Sequence, residues 1–403
     1  MLINQTFEID SCDDVELNIK RTSKLEYRIS YDDEKEMKAI VFIIGGYGAN
    51  ANIYFLDSYR NYIAKNFDVV AVHVFYHCFC QRRSDVEKYS AFTIFTKDDV
   101  SNLSQVLLEI GVNINVNLEN AQQCYELLNQ NITTLKSQGK LAQNYQAKFT
   151  STFVPPNGDY QNYGIMAAID HINALKDLIK RFPQFSNLPK IYGGGSYGGY
   201  LSLLIAKIAP WYVDGVIDNS GSALPSPMFI LERESGQYDY FEEYPHNKIG
   251  FFIKTYWNAD VGSKYFFHTE NYLIRIIPNL AHLTIQANVN KNIVLVSYHS
   301  LKDPFNTAKD KQTLFLAYKE LGYDATLHLI KDESEIDGRF IKDLNHGMRI
   351  SDKALFRKEL PLMLEKLQKR KSFMQENSIS YPCGNKVFIF KDVGDKFELV
   401  IKD

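Results

Sequence analysis

The sequence lacks the features of disulfide scaffolds, structural zinc sites and membrane proteins. Its 403 residues include five cysteines, an odd number without C-x-x-C spacing. No segment approaches the ~18 consecutive apolar residues that span a bilayer. The first ten residues have neither the basic segment nor the apolar segment of a signal peptide. We therefore expect a cytoplasmic protein without a membrane span.

The sequence also lacks an excess of charge of either sign. It has 45 basic and 48 acidic residues, a formal net charge of −3, which indicates neither nucleic acid nor an anionic membrane as a partner. The turn GGYGAN at 45–50 is neither a G-x-G-x-x-G motif nor a P-loop, so nucleotide binding is not expected. We expect no cofactor and no metal ion.

Apolar segments of two kinds are present, and they predict an α/β domain. Short alternating segments at 6–9, 15–19 and 25–29 are typical of half-buried antiparallel strands. Continuously apolar segments predict central strands, and segments with helical periodicity follow them. The predicted core strands are 39–44, 68–75, 190–193, 213–220, 292–298 and 325–330. The predicted helices are 165–179, 200–208, 308–321 and 352–371. This alternation predicts a mostly parallel central sheet with helices on both faces.

Two segments interrupt this alternation. Residues 78–155 contain a polar helix near 118–138, and residues 224–290 are dense in aromatic side chains. We interpret both as insertions into one domain that extends over residues 1–371. The tail, residues 372–403, predicts a β-hairpin of 386–390 and 397–401 packed on the same domain.

The most informative motif is the G-x-S-x-G sequence at 194–198, within GGSYGGY. It lies between the predicted strand at 190–193 and the predicted helix at 200–208. A serine at such a strand-to-helix turn is held in a strained conformation that exposes its Oγ at the top of the sheet. The motif therefore predicts Ser196 as a nucleophile.

An activated serine needs a base, which follows an acid along the chain in proteins with this turn. Among the nine histidines, His346 lies in the loop DLNHGM between the last predicted core strand and the last helix. The adjacent Gly347 suits a loop from which an imidazole reaches across to Ser196. We therefore predict His346 as the base.

The predicted acid is Asp303. It follows the core strand at 292–298, and one helix and one strand separate it from His346, which sets both residues at the same sheet edge. Four other acids are nearer to His346 in the chain but have no core strand to position them, and they remain alternatives: Asp332, Glu333, Asp337 and Asp343.

An oxyanion hole requires two N–H donors aimed at the substrate oxygen. One is expected from the amide of Tyr197, directly after the nucleophile and at a helix N-terminus. The other is expected from the glycine-rich turn after strand 39–44, with the Tyr47 amide first and Gly46 second.

The chain combines the nucleophile turn at Ser196, the expected oxyanion donors, the acid and the base. With these features it resembles the α/β-hydrolase superfamily over residues 15–77, 156–223 and 291–371. The resemblance implies an α/β-hydrolase fold, a triad of Ser196, Asp303 and His346, and insertions that act as substrate-selecting caps. The GGSYGGY sequence is similar to the prolyl-oligopeptidase and acylaminoacyl-peptidase branch. Those peptidases carry a large β-propeller, whereas only residues 1–44 precede the glycine turn here. We therefore expect a bacterial family of the superfamily rather than a gated peptidase.

The resemblance implies a serine hydrolase that cleaves an ester or amide of a small or carbohydrate-like substrate through an acyl-enzyme. Arg82 and Arg83 are candidates to bind a substrate carboxylate, against the alternative that both are solvated. Other functions stay open: an acyltransferase with an alcohol acceptor, a prolyl-oligopeptidase-like peptidase, and a non-catalytic binding protein on a hydrolase scaffold. The oligomeric state is not predicted.

Overall fold

The computed structural model describes residues 1–47, 52–368, 370, 372 and 375–403. Within them the strands are β1 (Leu2–Asp10), β2 (Lys24–Asp32), β3 (Ile40–Ile43), β4 (Val70–Phe75), β5 (Phe92–Ile94), β6 (Ala147–Val154), β7 (Lys190–Gly195), β8 (Gly215–Asn219), β9 (Tyr240–Glu243), β10 (Asn247–Ile253), β11 (Val294–Ser300), β12 (Asp324–Ile330), β13 (Ser378–Cys383), β14 (Lys386–Val393) and β15 (Lys396–Lys402).

The helices in the same residues are α1 (Ile53–Phe67), α2 (Lys97–Glu109), α3 (Ala121–Ser137), α4 (Ile165–Arg181), α5 (Tyr197–Ile208), α6 (Pro227–Ile230), α7 (Glu232–Ser235), α8 (Thr269–Arg275), α9 (Leu280–Val289), α10 (Ala308–Glu320) and α11 (Asp352–Leu367). No helix in the described part of the chain has both the length and the apolar character needed to cross a bilayer.

The chain divides into two compact units, and the first comprises Met1–Phe79, Asn162–Ser226 and Phe267–Asp403. Its eight-stranded sheet has the order β1-β2-β4-β3-β7-β8-β11-β12. The β1–β2 and β2–β4 pairs are antiparallel, and the other five pairs are parallel. This mostly parallel order, with a strand-to-helix turn at a G-x-S-x-G motif after β7, is that of an α/β-hydrolase. The predicted fold class is confirmed.

Helices cover both faces of this sheet because side chains alternate along each strand. Val41 of β3 belongs to an apolar core that also contains Tyr59 of α1 and Phe356 of α11. The next residue, Phe42, points to the other face, where its ring centroid lies 6.0 Å from that of His171 in α4. Burial on both faces explains why β3 is continuously apolar.

The first unit differs from the sequence-based predictions at residues 15–19 and at the end of α11. Residues 15–19 form a turn rather than a strand: the Leu17 N–H donates to the Asp14 carboxylate at 3.1 Å, and Asp14 forms a backbone bridge with Ile19. Helix α11 ends at Leu367. The predicted helix end and domain boundary at residue 371 lies outside the described residues.

The tail forms a three-stranded antiparallel sheet, β13-β14-β15, because β13 adds to the predicted hairpin. It belongs to the first unit, where β15 contacts α4 and β13 contacts α8 and α9.

The second unit comprises Cys80–Gln161 and Pro227–Phe266. It has its own sheet of order β5-β6-β10-β9, and α2 packs on β6. The first segment begins two residues after the predicted insertion at 78–155 and ends six residues after it. The second is narrower than the predicted insertion at 224–290, since α8 and α9 belong to the first unit. The side chain of Arg275 in α8 shows the reason: it is fully buried and its Nη2 lies 2.7 Å from Glu16 Oε2.

Candidate active site

The G-x-S-x-G segment forms the sharp turn that the sequence predicts. β7 ends at Gly195, α5 begins at Tyr197, and Ser196 between them has φ 54° and ψ −119°. This backbone conformation is sparsely populated for a residue with a side chain and costs about 1–3 kcal/mol. A Cβ atom at Gly194 would lie 1.9 Å from the Ile44 carbonyl oxygen, and one at Gly198 would lie 2.0 Å from it. Only glycine therefore permits this close packing of the turn against β3.

Three of the predicted site residues meet at the carboxyl edge of the parallel strands. Ser196 Oγ lies 2.7 Å from His346 Nε2, and His346 Nδ1 lies 2.8 Å from Asp303 Oδ2. A carboxylate only accepts hydrogen bonds, so Nδ1 carries the proton and Nε2 of the neutral ring accepts the Ser196 hydroxyl. The His346 side chain is 20% exposed, whereas that of Asp303 is fully buried.

The Asp303 carboxylate is held by its own loop as well as by the imidazole. The N–H groups of Phe305 and Asn306 donate to its Oδ1 at 2.9 and 3.1 Å. Burial acts to raise the pKa of Asp303, but the His346 imidazole and these two N–H donors outweigh it, so the pKa is lowered. Asp303 is therefore an anion held beside the imidazole.

The four alternative acids lie apart from this arrangement. Asp332, Asp337 and Asp343 accept N–H groups of their own loops, and Glu333 forms an ion pair with Lys302.

Of the residues predicted to supply the oxyanion donors, Tyr197 directly follows the serine and Gly46 packs against it. Tyr197 is the first residue of α5, and its ring contacts that of Tyr47 edge-on with centroids 5.6 Å apart. A Cβ atom at Gly46 would lie 3.6 Å from Ser196 Cβ, so the Gly46 backbone also borders the nucleophile. Gly48 of the same turn lies outside the described residues. The assignment of these donors stays a prediction.

A second histidine lies behind the acid. His299 Nε2 is 3.0 Å from the Asn306 carbonyl oxygen, to which it donates, and 3.9 Å from Asp303 Oδ2. Burial and the charge of Lys311 lower the pKa of His299, so its ring is neutral. Asp303 Oδ2 is closer to His346 Nδ1, at 2.8 Å, than to His299 Nε2.

Sequence reasoning alone misses two polar residues of the site, Asn219 and Ser220. Asn219 Nδ2 donates to the Gly347 carbonyl at 3.0 Å, and Ser220 Oγ accepts the Gly347 N–H at 3.2 Å. The available signal is the polar end of the predicted strand at 213–220, because strands buried on both faces are otherwise almost continuously apolar.

Arg82 and Arg83 lie in the second unit and are paired there with acids of the same unit. Arg82 Nη2 lies 3.4 Å from Asp239 Oδ2, and the guanidinium lies over the Tyr240 ring. Arg83 Nη1 lies 3.4 Å from Glu242 Oε2. Their role in binding a substrate carboxylate stays a prediction. Across residues 1–47, 52–368 and 375–403, no three His, Cys, Asp or Glu side chains are grouped so as to hold a metal ion.

Several solved hydrolases are similar to this structure at low sequence identity. Pyrococcus horikoshii acylaminoacyl peptidase has 13% identity and a TM-score of 0.44, with 93% of this chain and 43% of the peptidase covered. Pyrococcus furiosus esterase Pf2001 has 10% identity and a TM-score of 0.43, with 92% and 93% covered. The chain thus spans less than half of the peptidase. Because these TM-scores are low, the fold assignment rests on the strand order and the turn at Ser196.

No curated protein matches the sequence. A family model described as "Protein of unknown function (DUF2920)" matches residues 5–401, and the chain belongs to that family.

Proposed function

We propose that this chain is a serine hydrolase that cleaves an ester or amide bond through an acyl-enzyme intermediate. One observation carries the proposal: hydrogen bonds of 2.7 Å from Ser196 Oγ to His346 Nε2 and of 2.8 Å from His346 Nδ1 to Asp303. Such a chain lets the hydroxyl lose its proton to the imidazole as its oxygen attacks a carbonyl carbon. The strained turn at Ser196 supports this role, since strain of this kind clusters at reactive sites.

The proposed reaction has two halves. In the first, Ser196 Oγ bonds to the carbonyl carbon and its proton moves to His346 Nε2. The carbonyl oxygen becomes an oxyanion, which the Tyr197 and Tyr47 amides bind in this proposal, with Gly46 as the alternative second donor. Each such donor contributes about 3–4 kcal/mol of transition-state stabilisation. The bond to the leaving alcohol or amine then breaks, and Nε2–H protonates it.

In the second half, His346 Nε2 takes a proton from water as the water oxygen bonds to the acyl carbon. The bond from that carbon to Ser196 Oγ then breaks, and Nε2–H returns its proton to Oγ, which releases the acid and restores the serine. Asp303 keeps the Nδ1–H tautomer and stabilises the imidazolium in both halves. The proposed substrate is an ester, or an amide, of a small molecule or a carbohydrate. The same intermediate would transfer its acyl group to an alcohol if one replaced the water.

A fluorophosphonate probe tests the proposal, because attack by an activated serine displaces fluoride and leaves a stable phosphonyl ester on Oγ. We expect the wild-type protein to be labelled at Ser196, as read by intact-protein and peptide mass spectrometry. Ser196→Ala should not be labelled, and His346→Ala should react more slowly by at least about a thousandfold.

The matched control is Ser202→Ala in α5, since Ser202 is a buried serine whose hydroxyl donates to the Gly198 carbonyl at 2.8 Å. This variant should keep the wild-type labelling rate. An unlabelled wild type, with its fold verified by circular dichroism, would rule out the proposed chemistry. A p-nitrophenyl ester assay with and without added alcohols then separates hydrolysis from acyl transfer.

A further inference from the structure

The end of β8 makes hydrogen bonds to both the nucleophile and the base loop through one residue. The Asn219 carbonyl accepts the Ser196 N–H at 2.7 Å, directly at the strained turn. The Asn219 side chain donates to the Gly347 carbonyl at 3.0 Å, one residue beyond His346. Asn219 is buried, so these bonds form away from competing water.

The next residue, Ser220, extends the contacts to the acid. It has a left-handed φ of 57°, and its N–H donates to the Tyr298 carbonyl of β11 at 2.8 Å. Its carbonyl accepts the Asn306 side-chain amide at 2.9 Å, and the Asn306 N–H in turn donates to Asp303 Oδ1. Ser220 Oγ accepts the Gly347 N–H at 3.2 Å. Both residues of this strand end therefore contact the loops that carry the triad.

The base loop needs such support because its backbone is strained. Gly347, Met348 and Arg349 have successive φ values of 72°, 52° and 51°. Residues with a Cβ disfavour this left-handed region, so the loop would relax without external bonds. Asn219 and Ser220 bind both backbone polar groups of Gly347, the residue adjacent to His346.

We propose that Asn219 and Ser220 are positioning residues that hold His346 and Ser196 in register for proton transfer. This inference rests on the proposed hydrolase function. Neither residue reacts: each acts through the loops that it binds. A displacement of about 1 Å between reacting groups lowers rates by about a hundredfold, so small shifts of the base loop should appear in kcat.

The test compares Asn219→Ala with Asn290→Ala. Asn290 is a matched control because its side-chain amide also donates to backbone carbonyls, those of Pro210 and Val213 at 2.9 and 3.2 Å, before the start of β8. We measure kcat and KM with a p-nitrophenyl ester. For each variant we also measure the midpoint of thermal unfolding and the rate of fluorophosphonate labelling. For Asn219→Ala we expect kcat and the labelling rate to fall about 10- to 100-fold with KM within about threefold.

Asn290→Ala should lower the unfolding midpoint without this loss of kcat. Equal kcat values for the two variants would overturn the inference, and so would a loss in Asn219→Ala confined to KM. If Asn219→Ala does not fold, Ser220→Ala serves instead, since it removes only the hydroxyl that accepts from Gly347. For this variant we expect about a tenfold loss of kcat. An unchanged kcat would overturn the inference. A wild type that is not labelled overturns the hydrolase proposal and this one together, whereas a labelled wild type with an unaffected Asn219→Ala overturns this one alone.

Discussion

Two aspartates in different units, Asp99 and Asp352, have pKa values shifted in opposite directions. In the second unit, the buried Asp99 carboxylate accepts from Thr150 at 2.6 Å, from Thr152 at 2.8 Å and from Arg233 at 2.9 Å. Burial acts to raise the pKa of Asp99, but the Arg233 charge and these hydroxyl groups outweigh it, so the pKa is lowered. Asp99 is a satisfied anion with a structural role.

In the first unit, Asp352 begins α11 beside the nucleophile turn. A Cβ atom at Gly195 would lie 3.2 Å from its Oδ1, and its carboxylate accepts the Gly195 N–H. Burial raises the pKa of Asp352 to about 6, and this single N–H offsets burial only in part. The comparison teaches that the number of donors, rather than burial alone, decides whether a carboxylate is stable as an anion.

The largest effect is expected from the third carboxylate, Asp303. Asp303→Asn keeps the side-chain volume but lets the amide donate to Nδ1, which favours the wrong imidazole tautomer. We expect kcat for ester hydrolysis to fall about 10⁴-fold while KM changes little. Asp214→Asn is the control, because Asp214 accepts the Lys190 N–H at 2.8 Å at the opposite end of β8. If Asp303→Asn kept more than a tenth of the wild-type kcat, Asp303 would not be the acid. The alternative acids Asp332, Glu333, Asp337 and Asp343 would then be tested in the same way.

An intermediate effect, on stability, is expected for Asp99→Ala. The change leaves Arg233, whose side chain is 26% exposed, without its carboxylate, and we expect a loss of about 3 kcal/mol in the free energy of unfolding. Because the folded pKa of Asp99 is lowered, its stabilisation is present above the unfolded pKa of about 4 and is lost as pH falls through the folded pKa. Urea unfolding should therefore show the gap between wild type and variant closing below about pH 4. A gap that is constant from neutral to acidic pH would contradict the ionic role.

The smallest effect has the opposite sign. Because the folded pKa of Asp352 is raised, wild type loses stability as pH rises from about 4 through about 6. Asp352→Asn still accepts the Gly195 N–H but does not titrate, so it should become more stable than wild type by about 1–3 kcal/mol between pH 4 and pH 8. Urea unfolding at both pH values measures this difference. A difference that is the same at both pH values would show that Asp352 ionises normally.

Much of the first unit could be predicted from the sequence because its signals are local. Continuous apolar segments identified β3, β4 and β11. The glycines beside Ser196 indicated the sharp turn, in which they pack too closely against Ile44 to carry side chains. Asp303 and His346 were predicted as acid and base because each follows a core strand in the chain after Ser196. Since parallel strands end at one sheet edge, such residues lie near one another.

Other features could not be predicted because they depend on contacts distant in sequence. The turn at 15–19 alternates like a strand, yet the Asp14 side chain closes it. Helix α8 reads as part of an insertion, yet Arg275 is buried against Glu16, which is far from it along the chain.

By itself the sequence determined the strand-to-helix turn, its serine and the alternation of core strands and helices, because glycine placement and apolar periodicity act on neighbouring residues. Only the tertiary structure decided which acid faces His346 and that Asn219 and Ser220 bind the strained base loop. Those contacts join residues that are distant in sequence: Asp303 and His346 are 43 positions apart, and Asn219 and Gly347 are 128 positions apart. No local propensity encodes them: they arise when the ends of β7, β8 and β11 are packed side by side.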